Sequence, residues 1–133
     1  MSDLTNKTIA ALLADGIGVC FKVKGDSMHP LICADDYLVV EPASAEHLVN
    51  GDVVLARADR GLTAHRVVAM EHGCIITRGD NASCADAPVP HAQLLGRVTR
   101  VERNGEAQRV GRYSRAMLVM RRMLRRAWIR FES

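Results

Sequence analysis

A serine in a tight turn after an apolar strand is the first feature of this chain that could do chemistry. Residues 17–23 alternate apolar and polar side chains as a β-strand does, and they run into Gly25-Asp26-Ser27-Met28-His29-Pro30. Gly25 permits the turn and Pro30 removes a backbone donor, so Ser27 is predicted at a strand end beside free N–H groups. Such a serine could be a nucleophile with an adjacent oxyanion site, whereas most turn serines bond only to their own backbone.

A serine nucleophile needs a general base, and the candidates here are two nearby lysines and five histidines. Lys22 and Lys24 are too close along an extended strand to fold back onto Ser27. Four histidines are predicted to lie in loops or turns: His29, His47, His72 and His91. His65 instead lies inside the predicted strand 63–70, where it would be held rigidly and kept neutral by partial burial. A strand histidine can equally be a satisfied polar group of the core.

A histidine base also needs an acceptor that fixes its tautomer and orientation. The loop that begins at Gly79 carries two carboxylates, Asp80 and Asp86. Asp80 follows a glycine and could form an Asx-turn that supports its own loop. Asp86 has no evident local role and precedes a proline in an extended segment. Asp86 is therefore the better candidate to orient His65, and Asp80 the better candidate to hold the loop.

Composition limits the classes of protein to consider. The chain has 133 residues, 48% of them hydrophobic and 25% charged, which suits one domain with a packed core and excludes global disorder. The four cysteines form no Cys-x-x-Cys pair and no zinc-ligand spacing, so free thiols in a reducing compartment are expected, with no metal and no cofactor. The sequence shows neither a signal peptide nor a membrane-spanning stretch, and a cytoplasmic location is expected.

The order of the elements predicts a mainly β fold. A short helix is expected over residues 4–15, followed by short strands with turn signals every eight to twelve residues. The predicted strands cover residues 17–23, 37–40, 53–56, 63–70, 74–77, 94–101 and 107–110. Asn104-Gly105 is a strong hairpin signal. This pattern predicts a barrel-like or folded-over antiparallel sheet.

Four blocks of the sequence, taken in order, resemble the type I signal peptidase family. They are Val23-x-Gly25-Asp26-Ser27-Met28-His29-Pro30-Leu31, Gly51-Asp52-Val53-Val54, His65-Arg66-Val67-Val68, and Gly79-Asp80-Asn81 with Asp86. The superfamily also includes the LexA-type self-cleaving repressors. Most bacterial signal peptidases carry lysine at the place of His65, whereas the endoplasmic-reticulum-type subgroup uses histidine there. The resemblance therefore implies a folded antiparallel β-domain of the signal peptidase/LexA type, closest to that subgroup.

The resemblance also implies roles for individual residues. Ser27 would be the nucleophile, His65 the general base and Asp86 the orienting acid of a serine endopeptidase that cuts after small residues. The oxyanion would sit on the Ser27 backbone N–H, in the Gly25 region. Family members with a serine at the place of Gly25 add a hydroxyl that this chain lacks. Met28 is expected to line the substrate pocket, with core filler as the alternative.

The end of the chain departs from the family pattern. Residues 114–131 are predicted to form an amphipathic helix, with arginines on one face and methionines, Trp128 and Phe131 on the other. We therefore divide the chain into a catalytic β-domain, residues 1–113, and a basic helix, residues 114–133. The helix could lie on an anionic membrane surface or pack on the β-domain or a partner. Nucleic-acid binding is not expected, and the expected partner is a peptide or protein substrate.

Three functional hypotheses follow from these observations. The first is a peptidase that cuts a precursor peptide or another protein. The second is a regulator that cleaves itself, as the LexA-type repressors do, although no Ala-Gly cleavage site precedes Ser27. The third is a non-catalytic module that binds peptides, and the intact set of Ser27, His65 and Asp86 argues against it.

Overall fold

The computed structural model describes residues 3–59 and 61–110, which contain one α-helix and eight β-strands. The elements are α1 (Asp3–Ala14), β1 (Val19–Lys22), β2 (Tyr37–Pro42), β3 (Val53–Ala58), β4 (Gly61–Glu71), β5 (Cys74–Arg78), β6 (Val89–Pro90), β7 (Leu94–Arg103) and β8 (Glu106–Arg109). The predictions of a mainly β fold and an N-terminal helix are confirmed. The helix predicted over residues 114–131 lies outside the described residues.

All eight strands belong to one antiparallel sheet. The strand order is β1-β2-β7-β3-β4-β5-β6, and β8 pairs with β7 as the second strand of a hairpin. The register shifts in three of the pairings, at Val39/Val40 in β2, at Leu55/Ala56 in β3 and at Val67/Ala69 in β4. Shifts of this kind bend a strand and increase its twist, so the sheet curls as the sequence predicted.

The curled sheet has an aliphatic core on both faces of β3. Val53 and Leu55 belong to a large cluster that also receives Ile9 and Leu13 from α1. Val54, between them, packs into a smaller cluster on the other face. Successive residues of a strand point to opposite faces, so the first four residues of β3, which lie between the two clusters, all need apolar side chains. This explains the unbroken run of buried residues at 53–56.

The pairing of β4 leaves a strand edge open next to the predicted site. Gly61 to His65 pair with β3 on one side, and the pairing with β5 begins only at Arg66. The first half of β4 therefore has no strand on its other side among the described residues. At the end of the sheet, β1 pairs only with β2. Among the described residues, two strand edges without a neighbouring strand thus lie in the part of the molecule that carries Ser27 and His65.

Most element boundaries agree with the sequence-based predictions, with a few corrections. The strand β6 and the short 3₁₀ turn after it, His91–Gln93, replace part of what was predicted as one long loop. The four cysteines are free, as expected. Within residues 3–59 and 61–110, no helix has both the length and the hydropathy needed to cross a bilayer.

Candidate active site

Ser27 lies in an exposed turn between β1 and β2. Gly25 adopts a φ of 89°, a conformation that disfavours any residue with a side chain and that turns the chain away from β1. The Ser27 carbonyl accepts a hydrogen bond from the Asn81 backbone N–H at 2.9 Å. The Asn81 side chain also donates to the Asp26 carbonyl at 3.3 Å. The loop after β5 therefore holds the turn through its backbone carbonyls, and the Ser27 side chain stays exposed.

An ion pair between a buried aspartate and a partly exposed arginine closes the base of the same turn. The Val23 N–H donates to the Asp36 carbonyl at 2.8 Å, and the Asp36 carboxylate accepts from the Cys33 N–H at 2.7 Å. Two guanidinium nitrogens of Arg103 in β7 reach the same carboxylate at 2.9 and 2.8 Å. The hydrogen bonds from Arg103, together with that from Cys33, hold the pKa of Asp36 below its usual range. The loop that displays Ser27 is thus tied to the sheet at its two ends.

His65 faces Ser27 from β4. Its Nε2 lies 3.0 Å from Ser27 Oγ, and its side chain is 11% exposed. The backbone of His65 is paired with Val54 of the central strand β3, which fixes the position of its Cα. The imidazole is therefore held at hydrogen-bond distance from the serine by the most buried part of the sheet.

Asp86 contacts the other ring nitrogen of His65. Its Oδ2 lies 2.5 Å from His65 Nδ1 and also accepts a hydrogen bond of 2.7 Å from Thr77 Oγ1. The Asp86 N–H donates to the Thr77 carbonyl at 2.8 Å, which anchors its backbone beside β5. An ionised carboxylate only accepts hydrogen bonds, so the proton of a neutral His65 lies on Nδ1. Nε2 is then left with a lone pair directed at the Ser27 hydroxyl.

Asp80, the alternative acid, lies against a different partner. Its two carboxylate oxygens accept hydrogen bonds of 2.9 and 2.8 Å from Arg66, whose side chain is fully buried. Arg66 also donates to the Gly51 carbonyl at 2.7 Å. Asp80 therefore connects its loop to Arg66 of β4, a partner that the sequence did not indicate, and its role in supporting the loop stays a prediction.

Gly79 and Met28 bring the loop and the serine turn into direct contact. A Cβ at Gly79 would lie 2.5 Å from the Ser27 carbonyl oxygen and 3.3 Å from His65 Nε2, so only glycine fits there. Met28 is 3% exposed and belongs to the large core cluster, and its Sδ accepts from the Asp80 N–H at 3.2 Å. Met28 also lines the cavity at the site, and its contact with a substrate stays a prediction.

A cavity of about 640 Å³ opens beside Ser27 and His65. Apolar side chains from the core form most of its wall, and the two open strand edges flank it. The residues that line it are Asn6, Phe21, Val23, Lys24, Gly25, Ser27, Met28, Ile32, Leu38, Leu55, Leu62, Thr63, Ala64 and His65. Its volume is within the usual range for ligand sites, about 300–1,000 Å³. None of the other four histidines is part of this lining.

Comparisons with known proteins show the family to which the chain belongs. Residues 6–99 match the family described as Peptidase S24-like, and the matched region includes Ser27, His65 and Asp86. The chain belongs to the Peptidase S24-like family. It is also 32% identical, over 93 residues, to the LexA repressor of Frankia casuarinae; the match covers 69% of this chain and 35% of the repressor. The chain therefore spans about a third of the length of that relative.

Membership of the S24-like family confirms the predicted superfamily, while the endoplasmic-reticulum-type subgroup stays a prediction. Sequence reasoning missed three residues that support this S24-like site: Arg66, Thr77 and Asn81. Arg66 is next to His65 in the third block, but its partner lies 14 positions away. Thr77 carried no signal, because a threonine in a strand is common. In the residues that the structure describes, no cluster of His, Cys, Asp and Glu is arranged to hold a metal ion.

Proposed function

We propose that this S24-like protein is a serine peptidase with Ser27 as nucleophile, His65 as general base and Asp86 as the acid that orients it. One observation carries the proposal: an accessible hydroxyl, an imidazole and a carboxylate follow one another at 3.0 and 2.5 Å beside an open cavity. Such a chain of contacts is how a weak hydroxyl nucleophile is activated.

The reaction would proceed through an acyl-enzyme. Ser27 Oγ attacks the carbonyl carbon of the scissile peptide bond, and its proton passes to His65 Nε2. Asp86 stabilises the imidazolium that forms, through the hydrogen bond at Nδ1. The oxyanion accepts a hydrogen bond from the Ser27 backbone N–H. This N–H donates to no other group among the described residues, so it is available for the oxyanion. His65 then gives its proton to the leaving amine, and a water molecule activated by His65 releases the acyl group and restores Ser27.

The substrate of this reaction would be an extended peptide segment. The unpaired edge of β4 at residues 61–65 and the outer edge of β1 flank the cavity, and a peptide strand can pair with such edges. The lining of the cavity includes Met28, Ile32 and Ala64, so it suits an apolar side chain of the substrate. These features support cleavage of a peptide or protein, and the preference for small residues before the cut comes from the resemblance to signal peptidases.

Self-cleavage is the second candidate, and the comparisons support it at least as well as the first. The relative found by sequence is a LexA repressor, and the resemblance noted above includes the LexA-type self-cleaving repressors. In this mode the scissile bond belongs to the same polypeptide, and the cavity receives a segment of its own chain. The cytoplasmic location and a membrane contact through residues 114–133 stay predictions for either mode.

Mass spectrometry can test the peptidase and distinguish the two modes. The purified chain is incubated alone at two concentrations and, separately, with a library of synthetic ten-residue peptides rich in alanine. Self-cleavage within one molecule produces a fragment of new mass with a first-order rate constant that does not depend on protein concentration. Cleavage of a separate peptide forms products at a rate proportional to the concentration of the protein.

The serine variant provides the decisive comparison. Ser27→Ala should lower either rate by at least about 10⁴-fold, because the nucleophile is removed. Ser44→Ala is the matched control, since the hydroxyl of this exposed serine contacts only His47 within the part of the chain that the structure describes. A Ser27→Ala protein that still cuts at the rate of the wild type refutes the proposal.

A further inference from the structure

An amide from the N-terminal helix lines the cavity far from the catalytic serine. Asn6 is the only residue of α1 in the lining of the cavity, among the described part of the chain. Its side-chain oxygen is buried and has no hydrogen-bond partner among residues 3–59 and 61–110. A buried acceptor without a donor is unfavourable, and in a native protein it requires an explanation such as a bound ligand. Asn6 therefore differs from the apolar residues that form most of the wall.

The contact between Asn6 and Gly61 locates this amide along the cavity. A Cβ on Gly61 would lie 2.9 Å from Asn6 Nδ2, so the amide sits directly beside the first residue of β4. Gly61 precedes His65 by four positions, which corresponds to about 13 Å along an extended strand. A peptide strand lying along β4 advances by the same amount per residue. The residue of that peptide beside Asn6 is therefore about four positions from the bond at Ser27.

We propose that Asn6 is a specificity residue whose side-chain carbonyl accepts a hydrogen bond from a donor-bearing side chain of the bound peptide, about four positions from the scissile bond. This inference rests on the proposed peptidase function. The chemistry that fits is a hydroxyl, amide or ammonium group at that position, within a segment that is otherwise small and apolar. Recognition of this kind can discriminate strongly, because a peptide without the donor leaves the buried oxygen unpaired.

Helix α1 fixes the backbone from which this group extends. Ile9 and Leu13, one and two turns beyond Asn6, are buried in the large core cluster with 6% and 3% exposure. They hold the helix on the sheet, so the backbone of Asn6 does not depend on the peptide for its position. Because the side-chain oxygen is covered, the amide must rotate about its last side-chain bond to present that oxygen to the peptide.

Paired peptides that differ by one isosteric side chain can test the proposal. The starting peptide is a library peptide that the wild type cleaves or that the Ser27→Ala protein binds. In a cleaved peptide, threonine and valine are compared at each position two to five residues from the cleaved bond, on both sides. In a peptide that is only bound, they are compared at every position. The wild type should prefer threonine by roughly fivefold to tenfold in kcat/KM at one position near the fourth. Binding of the same pair to the Ser27→Ala protein should show the same preference.

Three variants of the helix separate recognition from structure. Asn6→Leu should abolish the threonine preference, and Asn6→Asp, which keeps an acceptor, should retain it. Thr8→Val is the matched control, because the Thr8 hydroxyl is exposed and bonds within the helix to the Leu4 carbonyl. Should Asn6→Leu fail to fold in a thermal melt, Asn6→Ala takes its place in the comparison.

The outcomes distinguish this proposal from the peptidase function. Cleavage without any threonine preference, or a preference that Asn6→Leu retains, overturns the role of Asn6 and leaves the peptidase in place. Binding with a preference that depends on Asn6, while the wild type cuts neither a library peptide nor itself, overturns the peptidase and supports the recognition. Neither binding nor cleavage of any library peptide overturns the role of Asn6, and it overturns the peptidase as well if the chain also does not cut itself.

Discussion

Asp80 and Asp86 lie six positions apart in one loop, yet they occupy contrasting environments. Asp80 is 11% exposed and bonds to Arg66, while Asp86 is 33% exposed and bonds to His65. Arg66 and His65 are neighbours on β4, and neighbouring strand residues point to opposite faces. The loop therefore places one carboxylate on each face of the strand. The partner and the solvent around each carboxylate decide its role, since the two side chains are chemically identical.

The contrast predicts that the loss of each pair affects a different property of the protein. The Arg66 side chain is fully buried and Asp80 is largely buried, so the loss of this pair should mainly affect the free energy of unfolding. The pair of Asp86 and His65 borders the cavity, so its loss should mainly affect the proposed reaction. Three substitutions test or sharpen this distinction.

The largest effect is expected for Asp86→Asn on the rate of cleavage. An asparagine at this place can donate to His65 Nδ1 and stabilise the tautomer whose proton faces Ser27. We expect kcat/KM to fall by about 10³–10⁴-fold, while the melting temperature changes little. Steady-state kinetics on a cleaved library peptide, or the rate of self-cleavage, measures the first quantity. The matched control is Asp80→Asn, assayed where it is folded. If Asp80→Asn proves the more damaging to the rate, the two assignments must be exchanged.

The second largest effect is expected for Arg66→Met, and it concerns the free energy of unfolding. The substitution leaves the Asp80 carboxylate buried without its cation and removes the donor to the Gly51 carbonyl. The free energy of unfolding should fall by about 3–5 kcal/mol, measured by urea denaturation. The double variant Arg66→Met with Asp80→Leu should recover part of this loss, since both charges are then absent. A double variant as unstable as the single one would show that the cost does not come from the unpaired carboxylate.

The smallest effect on the free energy of unfolding is expected for a substitution in the ion pair of Asp36 and Arg103. Here Asp36 is buried but Arg103 is 46% exposed, so solvent screens the pair. Asp36→Asn should lower the free energy of unfolding by about 1–2 kcal/mol at pH 7, chiefly through weaker hydrogen bonds from Cys33 and Arg103.

The pH dependence of this contribution has a definite sign. The pKa of Asp36 is lowered in the folded protein, first by the Arg103 hydrogen bonds, so the unfolded chain takes up a proton more readily. The contribution is present above the ordinary aspartate pKa of about 3.9 and disappears as the pH falls through the lower folded value. Urea denaturation between pH 7 and pH 2 should show the difference between wild type and Asp36→Asn narrowing at the acid end. A difference that stays constant would contradict this account.

Much of the fold could be predicted because its signals are local. Strand alternation, the turn at Asn104-Gly105 and the helix at the N-terminus depend on neighbours along the chain. Asn104 and Gly105 adopt φ values of 53° and 80°, as a turn with two left-handed residues requires. The strand β6 was missed because it has only two residues and pairs with β5, a contact that no local pattern indicates.

The sequence by itself determined which side chains could do chemistry at the site. Ser27, His65 and Asp86 were identified from their types, their local elements and the order of the four blocks, and the structure places all three together. A turn residue, a strand residue and a residue in an extended segment each have a local signature. Their types also restrict the possible roles, because only some side chains can lose or accept a proton near neutral pH.

Only the tertiary structure decided what supports these groups and what else faces the cavity. The partners of Arg66, Thr77 and Asn6 depend on contacts between segments that are distant along the chain. The close approach at Gly79 likewise appears only once the loop packs on the serine turn. These contacts follow from how the sheet curls, and the curl comes from register shifts between strands and from packing on both faces of β3. Both depend on the summed interactions of the whole domain, which no single segment of the sequence encodes.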